Sequence, residues 1–204
     1  MKTIYDTRGV LTMTSPDIVA YTPRRFSVEE YFRMAELGIL AEEDRLELIE
    51  GEVLVREPAG SEHASHVHKI ASLFRRLEDE RRGMVRTENP AILDDYNAPQ
   101  PDICILKWRD DFYVHAHPSP ADILLAIEVA WSSAPGDRRI KAPLYARVGI
   151  PEFWLVDLKR EMVEVYREPS EAGYASFARL GLGSTLRPLA FEEIEVRVKE
   201  VLLF

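Results

Sequence analysis

Two strongly apolar segments of this chain each carry one carboxylate. Asp102 opens the segment Pro101–Leu106, and Glu128 lies near the end of the segment Ile123–Val129. A charge inside an apolar strand is costly unless it is paired with another charge or bound to a metal ion. Lys141 follows shortly afterwards in a segment with helical character. Two such carboxylates and a nearby lysine indicate a divalent-cation site that acts on a phosphate.

The alternation of side chains along a strand predicts how these carboxylates meet. Glu128 shares a face with Ala126 and Ala130, whose small side chains leave room for a ligand, and Asp102 converges on Glu128 if the strands are neighbours. Mg²⁺ prefers such oxygen ligands. A bound cation lowers the pKa of a coordinated water, and a lysine nearby adds charge that stabilises the transition state. The structural alternative is a buried salt bridge from Glu128 to a basic residue, for which the candidates are Arg138, Arg139 and Lys141.

Local patterns predict the elements that position these residues. Ser27 and Glu30 form a capping box that starts a helix ending near Gly38, and residues 45–55 predict a strand pair bent at Gly51. Apolar spacing predicts a helix over residues 66–82 that ends at Gly83, and a second helix over 137–148. Residues 153–157 and 162–166 predict a hairpin.

The order of these elements predicts an α/β (α+β) fold with one mixed sheet flanked by helices. The apolar run at 123–129 is expected to be a central strand covered on both faces. Residues 1–22 have weak periodicity and are predicted to form an N-terminal arm, and residues 23–204 are predicted to form a single domain.

Composition limits the classes of function. The chain has 204 residues, 46% of them hydrophobic, a formal net charge of −9 and one cysteine. This acidity argues against a protein that coats nucleic acid by charge alone, but not against an enzyme with a local basic groove. The lone cysteine, and the lack of an apolar signal or membrane-spanning run, predict a cytoplasmic protein with no membrane partner.

Residues 45–166 resemble the Uma2 family of restriction-endonuclease-like proteins, a branch of the PD-(D/E)xK nuclease superfamily. The matching motifs occur in the same order along this chain as in the family. They are E-L-I-E-G-E at 47–52, His66 before a helix, P-D at 101–102, E-V at 128–129, D-x3-K-x3-Y at Asp137, Lys141 and Tyr145, and G-I-P-E-F-W-L-V-D at 149–157.

The resemblance implies a restriction-endonuclease-like core in which Asp102 and Glu128 hold Mg²⁺ (or Mn²⁺). Glu47 would be the additional acidic residue of the site. The usual superfamily pattern places lysine two residues after the glutamate, where this chain has Ala130. The resemblance therefore assigns the catalytic lysine to Lys141, on the following helix.

Two further residues are assigned to the edge of the site. His66 would contact phosphate or carry a proton, although a polar residue near a helix N-terminus is an equal alternative. Tyr145 would either reach the site or simply pack in the core. Together with His63 and His68, His66 also offers a zinc site, but no cysteine supports it and His68 is expected to face away from the other two.

The leading hypothesis is a metal-dependent endonuclease that hydrolyses DNA phosphodiester bonds with a metal-activated water. Superfamily relatives often pair as dimers, so the resemblance also suggests a homodimer. The alternative is a catalytically weak or inactive nucleic-acid-binding or assembly module on the same fold. The net acidity and the missing standard lysine favour the alternative. The intact carboxylate pair and the replacement lysine favour the enzyme.

Overall fold

The computed structural model describes residues 22–41, 44–56 and 60–203, together with two short paired strands at 4–5 and 11–12. Residues 1–3, 6–10 and 13–21 of the predicted arm lie outside the described residues, so the boundary of the arm at residue 22 stays a prediction. The strands are β1 Ile4–Tyr5, β2 Leu11–Thr12, β3 Leu46–Ile49, β4 Glu52–Val55, β5 Gly83–Thr87, β6 Ile103–Lys107, β7 Ile123–Ala130, β8 Glu152–Asp157, β9 Met162–Ser170, β10 Gly173–Gly181, β11 Thr185–Leu186 and β12 Val196–Arg197. The helices are α1 Val28–Glu36, α2 Ser61–Leu73, α3 Arg75–Asp79, α4 Ala134–Arg139, α5 Lys141–Arg147 and α6 Val198–Leu202, with a short 3-10 helix at Pro120–Asp122. None of the helices in these described segments is long and apolar enough to cross a membrane.

A six-stranded sheet forms the centre of the fold, in the order β10-β9-β8-β7-β6-β5. Strands β7 and β8 pair in parallel, and the other neighbours pair antiparallel. Helices flank this sheet, so the predicted mixed sheet with flanking helices is confirmed. The predicted central position of the apolar run at 123–129 is also confirmed, because β7 lies between β6 and β8.

The two faces of the sheet pack against different helices. Residues of α2, α3 and α6 share one apolar core with Ile103, Ile127 and Trp154. Residues of α4 and α5 share the other core with Cys104, Ala126 and neighbouring apolar positions. Since side chains alternate along a strand, Asp102 and Glu128 lie on the second face, which is covered by α4 and α5.

The register between β6 and β7 brings the two carboxylates together. Ile103 pairs with Ile127, which places Asp102 opposite Glu128 at the end of this antiparallel pair. The backbone N–H of Val129 donates to Oδ2 of Asp102 at 2.8 Å and fixes that side chain against β7. The predicted adjacency of the two acidic strands is therefore confirmed.

The predicted capping box and the bent strand pair are both found. The side chain of Ser27 accepts a hydrogen bond from the N–H of Glu30, and the carboxylate of Glu30 accepts one from the N–H of Ser27, so that α1 begins directly after Ser27. Gly51 turns the β3–β4 hairpin with a φ of +76°, which favours glycine. A Cβ at Gly51 would also lie 2.7 Å from Cβ of Arg25, so the turn packs too closely for a larger residue.

The predicted helix over 66–82 is wrong in its bounds. Helix α2 begins five residues earlier, at Ser61, and α3 follows it after a break at Phe74. Gly83 is not a helix cap, because it is the buried first residue of β5, where a Cβ would lie 3.1 Å from the carbonyl oxygen of Leu106. Close approach of β5 to β6, rather than helix termination, therefore explains this glycine.

The predicted single helix over 137–148 is divided into α4 and α5 at Ile140. Pro143 has no N–H to bond to the carbonyl of Arg139, and its ring crowds that carbonyl, which accounts for the break. Asp137 consequently lies on α4, whereas Lys141 and Tyr145 lie one turn apart on α5.

The predicted β8–β9 hairpin is confirmed, and Asp157 lies at its turn. Oδ1 of Asp157 accepts the backbone N–H of Arg160 at 3.0 Å.

In the same region Glu164 of β9 is buried and accepts hydrogen bonds from Arg138 of α4, Arg179 of β10 and Tyr166. The pair between Glu164 and Arg138 anchors α4, which carries Asp137, to the sheet.

Glu164→Gln is expected to make the protein less stable at neutral pH but not in acid. Burial alone would raise the pKa of Glu164, but the hydrogen bonds from Arg138, Tyr166 and Arg179 outweigh it and lower the pKa. The charged form is therefore favoured by folding, and its contribution is present above the unfolded pKa and lost as the pH falls through the folded one. After a discount for the exposure of Arg179, we expect a loss of about 1–2 kcal/mol at pH 7.

Urea unfolding of both proteins between neutral and acidic pH measures this difference. Glu195→Gln, which removes an exposed pair with Arg187, is the matched control and is expected to leave the stability unchanged. If the difference in the free energy of unfolding between Glu164→Gln and wild type stayed constant into acid, that result would contradict the assignment of this stability to the ionised carboxylate.

Candidate active site

A cavity of about 540 Å³ opens beside the end of β7 where Glu128 lies. Its lining includes five carboxylates, Glu47, Glu62, Asp102, Glu128 and Asp137, and the ammonium group of Lys141. The residues come from β3, α2, the segment before β6, β7, α4 and α5. The fold therefore gathers Glu47, Asp102, Glu128 and Lys141 around one space, although they are spread over 95 positions of the sequence.

Asp102 is held by its neighbours as a charged carboxylate. Besides the Val129 N–H, Oδ1 accepts a hydrogen bond from Nη2 of Arg56 at 2.6 Å, and Nε2 of His63 lies 3.4 Å from the same oxygen. Burial would raise the pKa of Asp102, but His63, Lys141 and Arg56 outweigh it and lower the pKa. The Asp102 carboxylate correspondingly raises the pKa of His63 above its ordinary value.

Glu128 is bound by two side chains of α5. Nζ of Lys141 donates to Oε1 of Glu128 at 3.0 Å, and the hydroxyl of Tyr145 donates to the same oxygen at 2.7 Å. Burial raises the pKa of Glu128 to about 8; Lys141 opposes this shift, and Asp102, Asp137 and Glu47 add to it. The spacing of Lys141 and Tyr145 by one helical turn explains how both reach one oxygen.

Lys141 also joins Glu47 to this group. Nζ of Lys141 lies 3.4 Å from Oε2 of Glu47, which in turn accepts the backbone N–H of Gln100 at 3.2 Å. Burial would lower the pKa of Lys141, but the carboxylates of Glu128, Glu47, Asp137 and Asp102 raise it. Lys141 is therefore a charged lysine that cross-links two acidic side chains from different parts of the fold.

The balance of charge suits a divalent cation. When Glu47, Asp102, Glu128 and Asp137 are all ionised, only Arg56 and Lys141 among their direct partners in the described segments carry a permanent positive charge, so two negative charges remain uncompensated. Burial raises the pKa of Asp137, as it does for Glu128, and the neighbouring carboxylates of Asp102 and Glu47 add to this rise. Carboxylate oxygens are the donors that Mg²⁺ and Mn²⁺ prefer, so the residues present fit such an ion.

A second set of donors shares Asp102. Ligand atoms of His63, Glu88 and Asp102 all lie within 4.8 Å of one another, whereas Glu128 is engaged by Lys141. Glu88 also pairs with Arg45 at the rim of the cavity. Imidazole favours transition metals over Mg²⁺, so the histidine is a reason to compare Mn²⁺ with Mg²⁺ at this site.

The structure brings Asp102, Glu128, Lys141, Glu47 and Tyr145 together, but it places His66 elsewhere. The ring nitrogens of His66 lie 2.8 Å from the carbonyl oxygen of Glu62 and 3.2 Å from that of Leu202, so His66 joins α2 to α6. The histidine that lines the cavity is His63, and His68 is exposed. The three histidines therefore do not converge into the zinc site considered as an alternative.

The structural alternative for Glu128 is partly present. Glu128 does form a buried ion pair, and its partner is Lys141 rather than Arg138, which pairs with Glu164 and Asp157.

Arg56 is a residue of the site that the sequence analysis did not predict. The β3–β4 register pairs Glu47 with Leu54, so Arg56, two residues further on, emerges on the same face as Glu47, and this register is the signal that could have revealed it.

Comparisons with known proteins agree with this fold and identify a family. A solved structure titled as a putative nuclease belonging to DUF820 from Anabaena variabilis ATCC 29413 has the same fold, with a TM-score of 0.70 and 17% sequence identity, over 87% of this chain and 97% of that chain. A search of curated proteins gave no match. The family model Uma2, described as "putative restriction endonuclease", matches residues 28–199. With more than half of its length matched by that model, the chain belongs to the Uma2 family of restriction-endonuclease-like proteins.

Proposed function

We propose that this protein is an endonuclease that hydrolyses DNA phosphodiester bonds with Mg²⁺ or Mn²⁺. The observation that supports it best is that Asp102, directly before β6, and Glu128 of β7 meet with Lys141 in one cavity. Family membership supports a nuclease in general terms.

In this proposal Asp102 and Glu128 hold the cation, and Glu47 completes the acidic lining. The cation, when bound, acts as a Lewis acid on the phosphate and lowers the pKa of a coordinated water. Lys141 adds a fixed positive charge where negative charge develops on the phosphate. Its place is set by Glu128 at 3.0 Å and Glu47 at 3.4 Å rather than by a strand position.

Tyr145 acts as a positioning residue in this scheme. Its hydroxyl donates to Oε1 of Glu128, and its ring packs edge-on against Phe153 with centroids 5.2 Å apart. The ring is fully buried, so it fixes the direction of the carboxylate and does not reach substrate. This supports a combined packing and positioning function for Tyr145.

One observation favours the second candidate, a nucleic-acid-binding or assembly module without catalysis. Asp102 and Glu128 each have a cation partner already, in Arg56 and Lys141, so the described site is partly neutralised from within the chain. A buried pair of this kind can serve structure alone. The two candidates differ in whether a divalent cation is needed for an observable reaction.

Purified protein is expected to nick and linearise supercoiled plasmid with Mg²⁺ or Mn²⁺ and to do nothing in EDTA. The physical reason is that two uncompensated negative charges and hard oxygen donors require a divalent ion before a phosphate can approach. Agarose-gel analysis of the plasmid over time provides the measurement, with Asp102→Ala and Lys141→Ala beside the wild type.

Both variants are expected to lose the cleavage that the wild type shows. Cleavage that continued in EDTA, or in Asp102→Ala, would contradict the proposed site. A folded wild-type protein that cut no plasmid with either metal, yet bound nucleic acid, would instead support the non-catalytic module.

A further inference from the structure

Trp131 is a large aromatic residue exposed at the edge of the acidic cavity. It follows directly after the last residue of β7, three positions beyond Glu128, and 52% of its surface is exposed. It also lines the cavity with the carboxylates. Tryptophan is usually well buried, so a half-exposed indole beside a charged site calls for a partner that covers it.

Other apolar residues of the cavity lining are exposed as well. Val55, Pro135 and Ile140 line the same cavity as Trp131, and Val55 and Ile140 are exposed. The lining therefore combines exposed apolar side chains with the buried carboxylates of Glu47, Asp102 and Glu128. Its volume of about 540 Å³ lies within the range of roughly 300–1,000 Å³ for small-molecule sites, which is more space than a metal ion and one phosphate need.

The cations of the cavity are already engaged. Arg45 pairs with Glu88, Arg56 with Asp102, and Lys141 with Glu128 and Glu47. The whole chain carries a net charge of −9, which disfavours attraction of a phosphate backbone at long range. A substrate with phosphate groups must therefore gain part of its affinity from contacts that do not depend on charge, and the stacking of a base on an aromatic ring is such a contact.

We infer that Trp131, together with the exposed Val55 and Ile140 of the same lining, is a subsite for an unpaired nucleobase next to the phosphate that enters the cavity. Inside a duplex the faces of each base are covered by its neighbours, so an indole can stack only on a base that is unpaired or displaced. The preferred substrate is consequently single-stranded or locally unpaired nucleic acid. The position of the phosphate rests on the proposed function, whereas the stacking contact does not.

Equilibrium binding in Ca²⁺ and in EDTA tests this subsite without relying on cleavage. The probes are a fluorescein-labelled oligothymidylate, the same strand annealed to oligodeoxyadenylate, and a strand of equal length that contains abasic positions, each followed by fluorescence anisotropy. Trp131→Ala is expected to weaken binding of the oligothymidylate by about 5- to 150-fold. It is expected to leave the already weak binding of the duplex and of the abasic strand unchanged.

Two further variants make the test specific. Trp131→Phe keeps an aromatic face and is expected to keep affinity within about threefold of wild type, since sequence-tolerant stacking needs only a π-face. Phe112→Ala removes an exposed aromatic residue that does not line the cavity and is the matched control. Both Trp131 and Phe112 are exposed, so these substitutions are not expected to affect folding.

The outcomes separate the subsite from the proposed nuclease. Single-strand binding that depends on Trp131, without cleavage of any substrate, would support the subsite and contradict the nuclease. Metal-dependent cleavage with unchanged binding in Trp131→Ala would support the nuclease and overturn the subsite. A change of oligomeric state in Trp131→Ala, measured by light scattering, would also overturn it, because the indole would then be covered by a second copy of the chain.

Discussion

Replacing Asp102 by asparagine is expected to reduce metal-dependent cleavage by more than about 100-fold while the fold is retained. The amide of asparagine is nearly isosteric with the carboxylate of aspartate. Its oxygen can still accept the hydrogen bond from the Val129 N–H, which donates to Asp102 at 2.8 Å in the wild type. The negative charge for the cation is lost, however, and loss of even the outer partners of metal ligands costs about 10- to 100-fold in affinity or activity. Plasmid cleavage rates and Mn²⁺ binding by calorimetry measure the two effects separately.

Glu152→Gln is the matched control for this experiment. Glu152 is as deeply buried as Asp102, but it lies on the opposite face of the sheet, where it binds Trp154, Arg167 and the backbone N–H of Leu189. We expect this variant to lose stability and to keep its cleavage rate at a temperature where it is folded. If Asp102→Asn and Glu152→Gln lost cleavage equally, the effect of Asp102 on cleavage would arise from the stability of the fold and not from metal binding.

The carboxylate pair could be predicted from the sequence because two periodic signals agree there. Strand alternation assigns Asp102 and Glu128 to defined faces, and adjacent apolar strands of similar length tend to pair. The spacing of Lys141 and Tyr145 by four residues similarly predicts that they share a helical face. These relations lie within one element or between neighbouring strands, and this is where sequence patterns carry most information.

The parts that could not be predicted depend on contacts between distant elements. The resemblance assigns His66 to the edge of the site, and the apolar spacing predicts a helix from that residue, whereas α2 begins at Ser61 and presents His63 to Asp102. Arg56 reaches Asp102 across 46 positions of sequence, and no local pattern marks that contact. The break at Ile140 follows from Pro143, a signal that was present in the sequence but was outweighed by the apolar periodicity.

Replacing Lys141 by methionine is expected to abolish cleavage and to make the metal-free protein less stable by about 3 kcal/mol. Methionine fills similar space, but Glu128 and Glu47 then lack the buried ammonium group that lies 3.0 and 3.4 Å from them. Because the pKa of Glu128 is about 8, above its ordinary value, the folded state already favours the protonated carboxyl. Lys141 opposes that rise, so its removal raises the pKa of Glu128 further, and Glu128 is protonated in both proteins below pH 8. The penalty of the variant is therefore expected to grow as the pH rises through 8, where the wild-type carboxylate ionises beside Lys141 and the carboxyl of the variant does not.

Divalent cations distinguish a site that binds metal from a buried pair that only supports the fold. An ion bound between Asp102 and Glu128 would replace part of the missing charge, so saturating Mn²⁺ is expected to raise the melting temperature of Lys141→Met more than that of wild type. Lys141→Arg is the control, because unlike Lys141→Met it keeps a positive charge at this position and is expected to keep part of the stability. The planar guanidinium does not reproduce the position of the ammonium group. If Mn²⁺ stabilised neither Lys141→Met nor wild type, the excess negative charge of the cavity would not be a metal site, and the proposed mechanism would lose its basis.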